Sequence, residues 1–258
     1  MRDRDRRIRG WLLAGAALAL GAGRAAAAIP RIDTIAAGLR FENLTRTVLW
    51  KGDQETSRIR ASLIAARAEF GLAKDIVVGL DAGLVLTDFT GLVFTGLPVS
   101  LQYGAAPLTG FAFGADVVAP LAEFSDFRLS GAGRFAFTFG MTRTWPLEGF
   151  AVEGDARGDS SLLEIAAGPR LAYLVVDRIV PYIEVWARWL RAGFAIGESL
   201  GDLAGDETKR LRGDLQFGAG LGADAEVTDR LHIQGKAGIL PYAGGVDSLM
   251  SLGILYKF

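Results

Sequence analysis

The chain has 258 residues, half of them hydrophobic and 22% charged, with no Cys, a single His and a formal net charge of -1. That composition excludes a disordered or collagen-like chain and a disulfide scaffold, and the missing thiols exclude thiolate zinc sites and cysteine nucleophiles. Glycine, 34 residues of the 258, stands at roughly twice its usual share and is scattered through apolar segments instead of being pooled in linkers.

Residues 1–28 read as a secretory signal peptide. Arg2, Arg4, Arg6, Arg7 and Arg9 form a basic start, residues 11–23 an apolar run of 13, and Ala26-Ala27-Ala28 an A-x-A cleavage site. The run is shorter than the ~20 residues that a spanning helix needs. Removing residues 1–28 takes out six Arg and two Asp and leaves 22 basic and 27 acidic groups. An exported chain of that mildly acidic balance has no general attraction for nucleic acid.

From there on the hydrophobic pattern has period two, the mark of strands with unlike faces. In 34–44, Ile35, Ala37, Leu39 and Phe41 alternate with Gly38, Arg40 and Glu42. In 58–71, Ile59, Ala61 and Leu63 hand over to Ala66, Ala68 and Phe70, which predicts a bulge near Ile64-Ala65. In 76–87, Leu80, Leu84 and Leu86 oppose Gly79, Asp81 and Gly83, with Val85 the exception. The pattern returns in 111–117 with Asp116 on the polar side and in 127–139 with Arg128, Ser130 and Arg134. It continues in 163–173 with Glu164 and Arg170, and in 183–189 with Glu184 and Arg188. Segment 211–226 opposes Leu211, Leu215, Phe217 and Leu221 to Arg212, Asp214 and Gln216. In 231–239 the polar side carries His232, Gln234 and Lys236, and 250–258 ends the chain with Met250, Leu252, Ile254, Tyr256 and Phe258 on one side.

Ten strands follow from this count. Their connectors alternate between short (72–75, 120–126, 174–178, 228–230) and long (45–57, 88–109, 140–160, 190–210), with 241–245 brief on the long side. Strands of about ten residues, even in number and joined in this way, predict an all-β fold: a closed antiparallel transmembrane β-barrel formed by residues 29–258. Twelve strands is the alternative if 92–103 pairs as an extra hairpin, and a lumen plug is the other reading of that segment. Tyr173, Trp189, Tyr256 and Phe258 fall where interfacial aromatic girdles sit.

The ending Leu252, Ile254, Tyr256, Phe258 resembles the C-terminal signature of Gram-negative outer-membrane β-barrels, including small porin-like ones. The resemblance implies residence in the outer membrane among its lipid and lipopolysaccharide. It also implies delivery by periplasmic chaperones and insertion by the barrel-assembly machinery, which reads those four residues. Ten strands also match the omptin-like proteases and some adhesins, but the Asp-Asp and Asp-His quartet of omptins is missing here.

The charged inward series, Arg40, Glu42, Arg67, Glu69, Asp81, Asp116, Arg128, Arg134, Glu164, Arg170, Glu184, Arg188, Arg212 and Asp214, reads either as a network bracing the lumen or as the lining of a selective pore. Other candidates are weaker. Gly218 to Ala223 contains G-x-G-x-x-A but lies inside continuing alternation, so its glycines read as small lumen residues and not as a phosphate loop. His232 lies beside a short turn. Asp53, Glu55, Asp202, Asp206 and Glu207 lack the spacing of a calcium loop. The expectation is therefore a noncatalytic barrel, structural, surface-exposed or narrow and porin-like, without cofactor or metal. The alternatives are an outer-membrane enzyme acting on lipid A or peptide, and a soluble periplasmic ligand-binding barrel.

Overall fold

A computed structural model of the chain describes residues 32–72, 75–103, 107–148, 152–211 and 214–258, the side chain of Asp214 excepted; the segment 1–28 lies outside them. The strands in chain order are β1 (Ile32–Val48), β2 (Ser57–Leu72), β3 (Ile76–Thr90), β4 (Val93–Phe94), β5 (Leu101–Gln102), β6 (Leu108–Phe124), β7 (Phe127–Pro146), β8 (Gly154–Tyr173), β9 (Ile179–Leu200), β10 (Leu203–Arg210), β11 (Asp214–Glu226), β12 (Leu231–Tyr242) and β13 (Gly245–Lys257). Ten of them close a ring in the order β9-β11-β12-β13-β1-β2-β3-β6-β7-β8 and back to β9, and the neighbours are antiparallel. Closure pairs β1 with β13 from Ala36 opposite Lys257 to Thr45 opposite Ser248, so both ends of the barrel chain lie at the short-turn end.

The alternation dictates which side faces out. Leu84, Leu215, Phe217 and Leu221 are 53 to 66% exposed, which a soluble barrel burying its apolar face would not allow. On β9 the outward apolar series runs from Ile179 to Trp189, ~33 Å of strand at ~3.3 Å per residue. At a tilt of about 45° that is close to the ~25 Å apolar band of an outer-membrane barrel. Aromatic pairs mark its short-turn edge: Phe127 against Tyr173 at 5.2 Å and Tyr256 against Phe258 at 5.4 Å.

The wall continues well past the band. β9 has 22 residues and β7 and β8 have 20 each. Two connectors expected to be long loops, 140–160 and 190–210, are therefore mostly paired strand, and the third, 45–57, is strand only up to Val48 and from Ser57 on. The reason is that the outer side of this part faces water. Past Trp189, β9 carries Arg191, Gly193, Ala195, Gly197 and Ser199 outward, so hydrophobic alternation fades while the hydrogen-bond ladder continues.

Two expectations need correction. No register shift occurs at Ile64-Ala65; β2 pairs regularly there with both β1 and β3. Ile59, Ala61 and Leu63 point inward and Ile64, Ala66 and Ala68 outward, because the interior turns apolar near the long-connector end. Leu211 is likewise buried inside, 7% exposed. The inward side is odd-numbered on β10 and even-numbered on β11. The shifts that do occur lie at Ile32/Thr34, Pro120/Ala122 and Thr138/Met141. At the last, Gly140 adopts φ +68°, a conformation open to glycine, and the extra residue turns Met141 inward.

β10 has one neighbour, β9. Leu211 N–H donates to Ala192 O, while Arg210 O accepts from Lys51 N–H on the other side. By alternation the peptide groups of Ala204, Asp206 and Thr208 face away from β9 along an open edge.

Candidate functional site: the filled lumen

The interior has three layers. At the long-connector end, Trp50, Phe89, Leu92, Phe94, Leu108, Met141, Phe194 and Ile196 are at most 2% exposed and form one apolar cluster. The segment 92–103 supplies its lid. β4 and β5 pair with each other as a two-stranded hairpin outside the ring, so this segment is both hairpin and plug and the count stays at ten. Phe194 is the hub, with ring centroids at 4.9 Å from Phe89, 5.2 Å from Tyr103 and 5.5 Å from Phe94. Polar contacts pin the lid to the wall, Gly96 N–H donating to Glu207 at 2.7 Å and Val99 N–H to Glu198 at 3.4 Å, while Ser100 Oγ donates to Phe94 O at 3.2 Å within it. Burial pushes the Tyr103 phenol up to about 12.

Below this lies the charge layer. Arg40 reaches Asp81 at 3.0 Å, Glu42 at 3.0 Å and Asp116 at 3.3 Å. Arg67 joins Asp116 at 2.7 Å, Asp81 at 3.1 Å and Glu69 at 3.1 Å. Arg134 pairs with Glu42 at 2.5 Å and Arg188 with Glu164 at 3.0 Å. These cations and carboxylates are spread over seven neighbouring strands, β1 to β3 and β6 to β9, and each of them has an opposite partner, as a low-dielectric interior requires.

Toward the short-turn end a cavity of about 320 Å³ opens, reaching the mouth where Asp75, Arg128 and Leu174 line it. One wall is aromatic. Trp186 lies across Gly218, Gly220 and Gly238, where a Cβ would come within 2.5 to 2.6 Å of the indole. Lys236 sits 4.3 Å over its ring and pairs with Glu184 at 2.9 Å. Tyr182 occupies the space left by Gly222 and stacks with Arg170, which in turn pairs with Asp224. The glycine run of β11 is thus a bed for two aromatic rings, with no helix after it to make a phosphate loop.

Of the expected network residues, Arg40, Glu42, Asp81, Asp116 and Arg134 meet in one cluster, Glu164 and Arg188 pair beside it, and Glu184 and Arg170 find partners in the cavity wall. Arg128 stands apart at the mouth with Glu123 and Asp75. Arg212 and the Asp214 side chain lie outside the described set. Lys236 was not singled out by sequence; it lies on the inward face of β12, one strand from β11, and its register was the available signal. Leu252, Ile254 and Tyr256 face outward on β13, and Phe258, exposed just past its end, donates its N–H to Ile35 O at 3.0 Å across the closure. His232 stands near the short-turn mouth, opposite Glu226 in register. Asp53 is held by Lys209 at 2.5 Å and Glu207 by the lid; among the described residues no three His, Asp or Glu gather as a metal site.

No protein-family description matches the sequence, and no curated protein matches it. Among solved structures the chain is similar to the outer membrane protease OmpT from Escherichia coli, with 12% identity, TM-score 0.49, and 90% of this chain and 99% of that one covered. It is similar to the translocator domain of the autotransporter NalP from Neisseria meningitidis (11%, TM-score 0.47, 98% and 97% covered) and to the COG4313 outer membrane channel from Pseudomonas putida F1 (11%, TM-score 0.43, 90% and 97%). Ten strands hydrogen-bonded into a ring, an apolar band outside and charge within make the chain an antiparallel transmembrane β-barrel of the outer-membrane kind.

Proposed function

We propose that the protein is a noncatalytic, surface-presenting outer-membrane barrel, made with a cleaved signal peptide and inserted with its short turns and both ends in the periplasm. The outer half of its lumen acts as a stopper and the projecting wall as the working surface. The observation that carries this reading is the apolar cluster under the 92–103 hairpin, whose central side chains are at most 2% exposed and stand between the outer end and the charge layer. A conducting pore keeps a polar lumen end to end.

Planar-bilayer recording tests it: the refolded barrel should give no stable conductance steps in molar salt, and reproducible steps would overturn the reading. Incubation with lipid A and with unstructured peptides should leave both unchanged in mass; a mass shift would make the protein an enzyme. The cavity open at the short-turn end favours a second reading, a narrow porin-like channel gated by the lid. In that case removal of residues 92–103 should bring conductance.

A further inference from the structure

The cations of the lumen are paired, whereas a set on the outside of the projecting wall is not. Arg191 on β9 and Arg210 on β10 are exposed and point outward, and their guanidinium groups have no hydrogen-bond or ion-pair partner among the described residues. Arg210 stands opposite Gly193, two residues beyond Arg191 on the same face, so the two are diagonal neighbours. Diagonal positions in a sheet are ~7 to 8 Å apart, within reach of long side chains. Gly193 leaves the floor between them bare, and Ser161 lies across from it on β8.

The height matters. Arg191 follows Trp189, the last large apolar outward residue of β9, and Leu163, the register partner of Arg191 on β8, is also apolar. The patch therefore begins where the lipid-facing band stops, at headgroup level. Two outward carboxylates stand farther along the wall: Asp159, opposite Ala195, accepts a hydrogen bond from Thr142 Oγ1 at 2.7 Å, and Asp206 lies on β10 opposite Gly197, four residues from Arg210. A second outward pair, Arg58 and Arg60 on β2, has Asp88 in register with Arg60 and is the poorer anion site.

We infer that Arg191 and Arg210 clamp a phosphate of an outer-leaflet glycolipid over Gly193, its acyl chains lying down the Trp189 and Leu163 side of the barrel. Two guanidinium forks match phosphate oxygens bidentately, and the site continues a surface that already meets lipid. This inference rests on the outward orientation proposed above.

The test uses the full barrel refolded in detergent, with phosphorylated lipid A as probe and its fully dephosphorylated form as control, read as the shift in thermal unfolding midpoint and by native mass spectrometry. Phosphorylated lipid A should bind the wild type at least tenfold more tightly than the Arg191→Gln/Arg210→Gln variant, whose heat-modifiable migration should be unchanged. The dephosphorylated lipid should show no such difference. Equal affinity of wild type and variant overturns the clamp, and so does equal affinity for the two lipids. Inorganic phosphate shifting the midpoint as strongly as the lipid would overturn the lipid as occupant. A cysteine at Asp202, labelled on intact cells by an impermeant maleimide, reads orientation separately: no labelling sinks the orientation, whereas labelling without lipid binding sinks the clamp alone.

Discussion

Single atoms decide much in so narrow a tube. A Cβ on Gly168 would lie 1.9 Å from Val185 O and 2.8 Å from Trp186 Cα, both backbone positions that cannot step aside as a side-chain tip can. Gly168→Ala should therefore cost about 1 to 3 kcal/mol, measured as a lower urea midpoint of the refolded barrel. The buried pair Arg188–Glu164, with side chains 2% and 9% exposed, obeys a different rule. Glu164→Gln should cost on the order of 3 to 5 kcal/mol because it strands the guanidinium, while Arg188→Met with Glu164→Leu should recover most of that loss. A double variant as unstable as the single one would mean that the pair contributes attraction beyond its own desolvation.

At the scale of elements, the lid and the strand extensions are held by the apolar cluster they share. Phe194 is fully buried at its centre, so Phe194→Ala should cost about 3 to 5 kcal/mol and loosen the hairpin. With no native Cys to interfere, a cysteine at Met141 should resist maleimide in the parent and react in the Phe194→Ala background. The lid also has a pH limit. Its buried phenol, Tyr103, has a pKa raised to about 12 from ~10 when unfolded. The neutral form is thus the docked one, and its contribution is complete below about pH 10 and lost as pH rises through about 12. Absorbance titration at 295 nm should show a late phenol near pH 12 whose amplitude is lost in Tyr103→Phe.

These elements also mark how far the sequence could be read. The spans facing lipid on one side and charge on the other were legible from Ile35, Leu84 or Phe217, because two unlike solvents imprint a period of two. Above the band both signals fail: Arg191 to Ser199 meets water outside, Ala192 to Ile196 meets apolar side chains inside, and the contrast inverts. Residues such as Ile59 and Leu63 then mimic a slipped face. The charge layer was visible residue by residue, but partners such as Arg67 with Asp116 sit on β2 and β6, which β3 separates, so their meeting depends on how the curved wall turns long side chains toward each other.

For the whole molecule the outward band sets insertion. Leu215→Arg places a guanidinium where Leu215 is 54% exposed to the surroundings of the barrel, and it should cost ~2 to 4 kcal/mol if the site lies near the bilayer midplane. Spin labels at 215, 217, 219 and 221 in membranes should report lipid contact and those at 216, 218 and 220 none; uniform water exposure would remove the membrane altogether. We propose that the closing strand with Leu252, Ile254, Tyr256 and Phe258 also serves as the assembly signal. Phe258→Asp should then leave the chain unfolded and degraded in the periplasm, and normal amounts of heat-modifiable barrel would contradict it.

The single-neighboured β10 has a kinetic signature of its own. Its odd amides, at Gly205, Glu207 and Lys209, are tied to β9, while those of Ala204, Asp206 and Thr208 meet solvent. Deuterium uptake resolved to single residues should therefore alternate along this one strand, fast and slow by turns, where the neighbouring stretch of β9, bonded on both sides, exchanges slowly throughout.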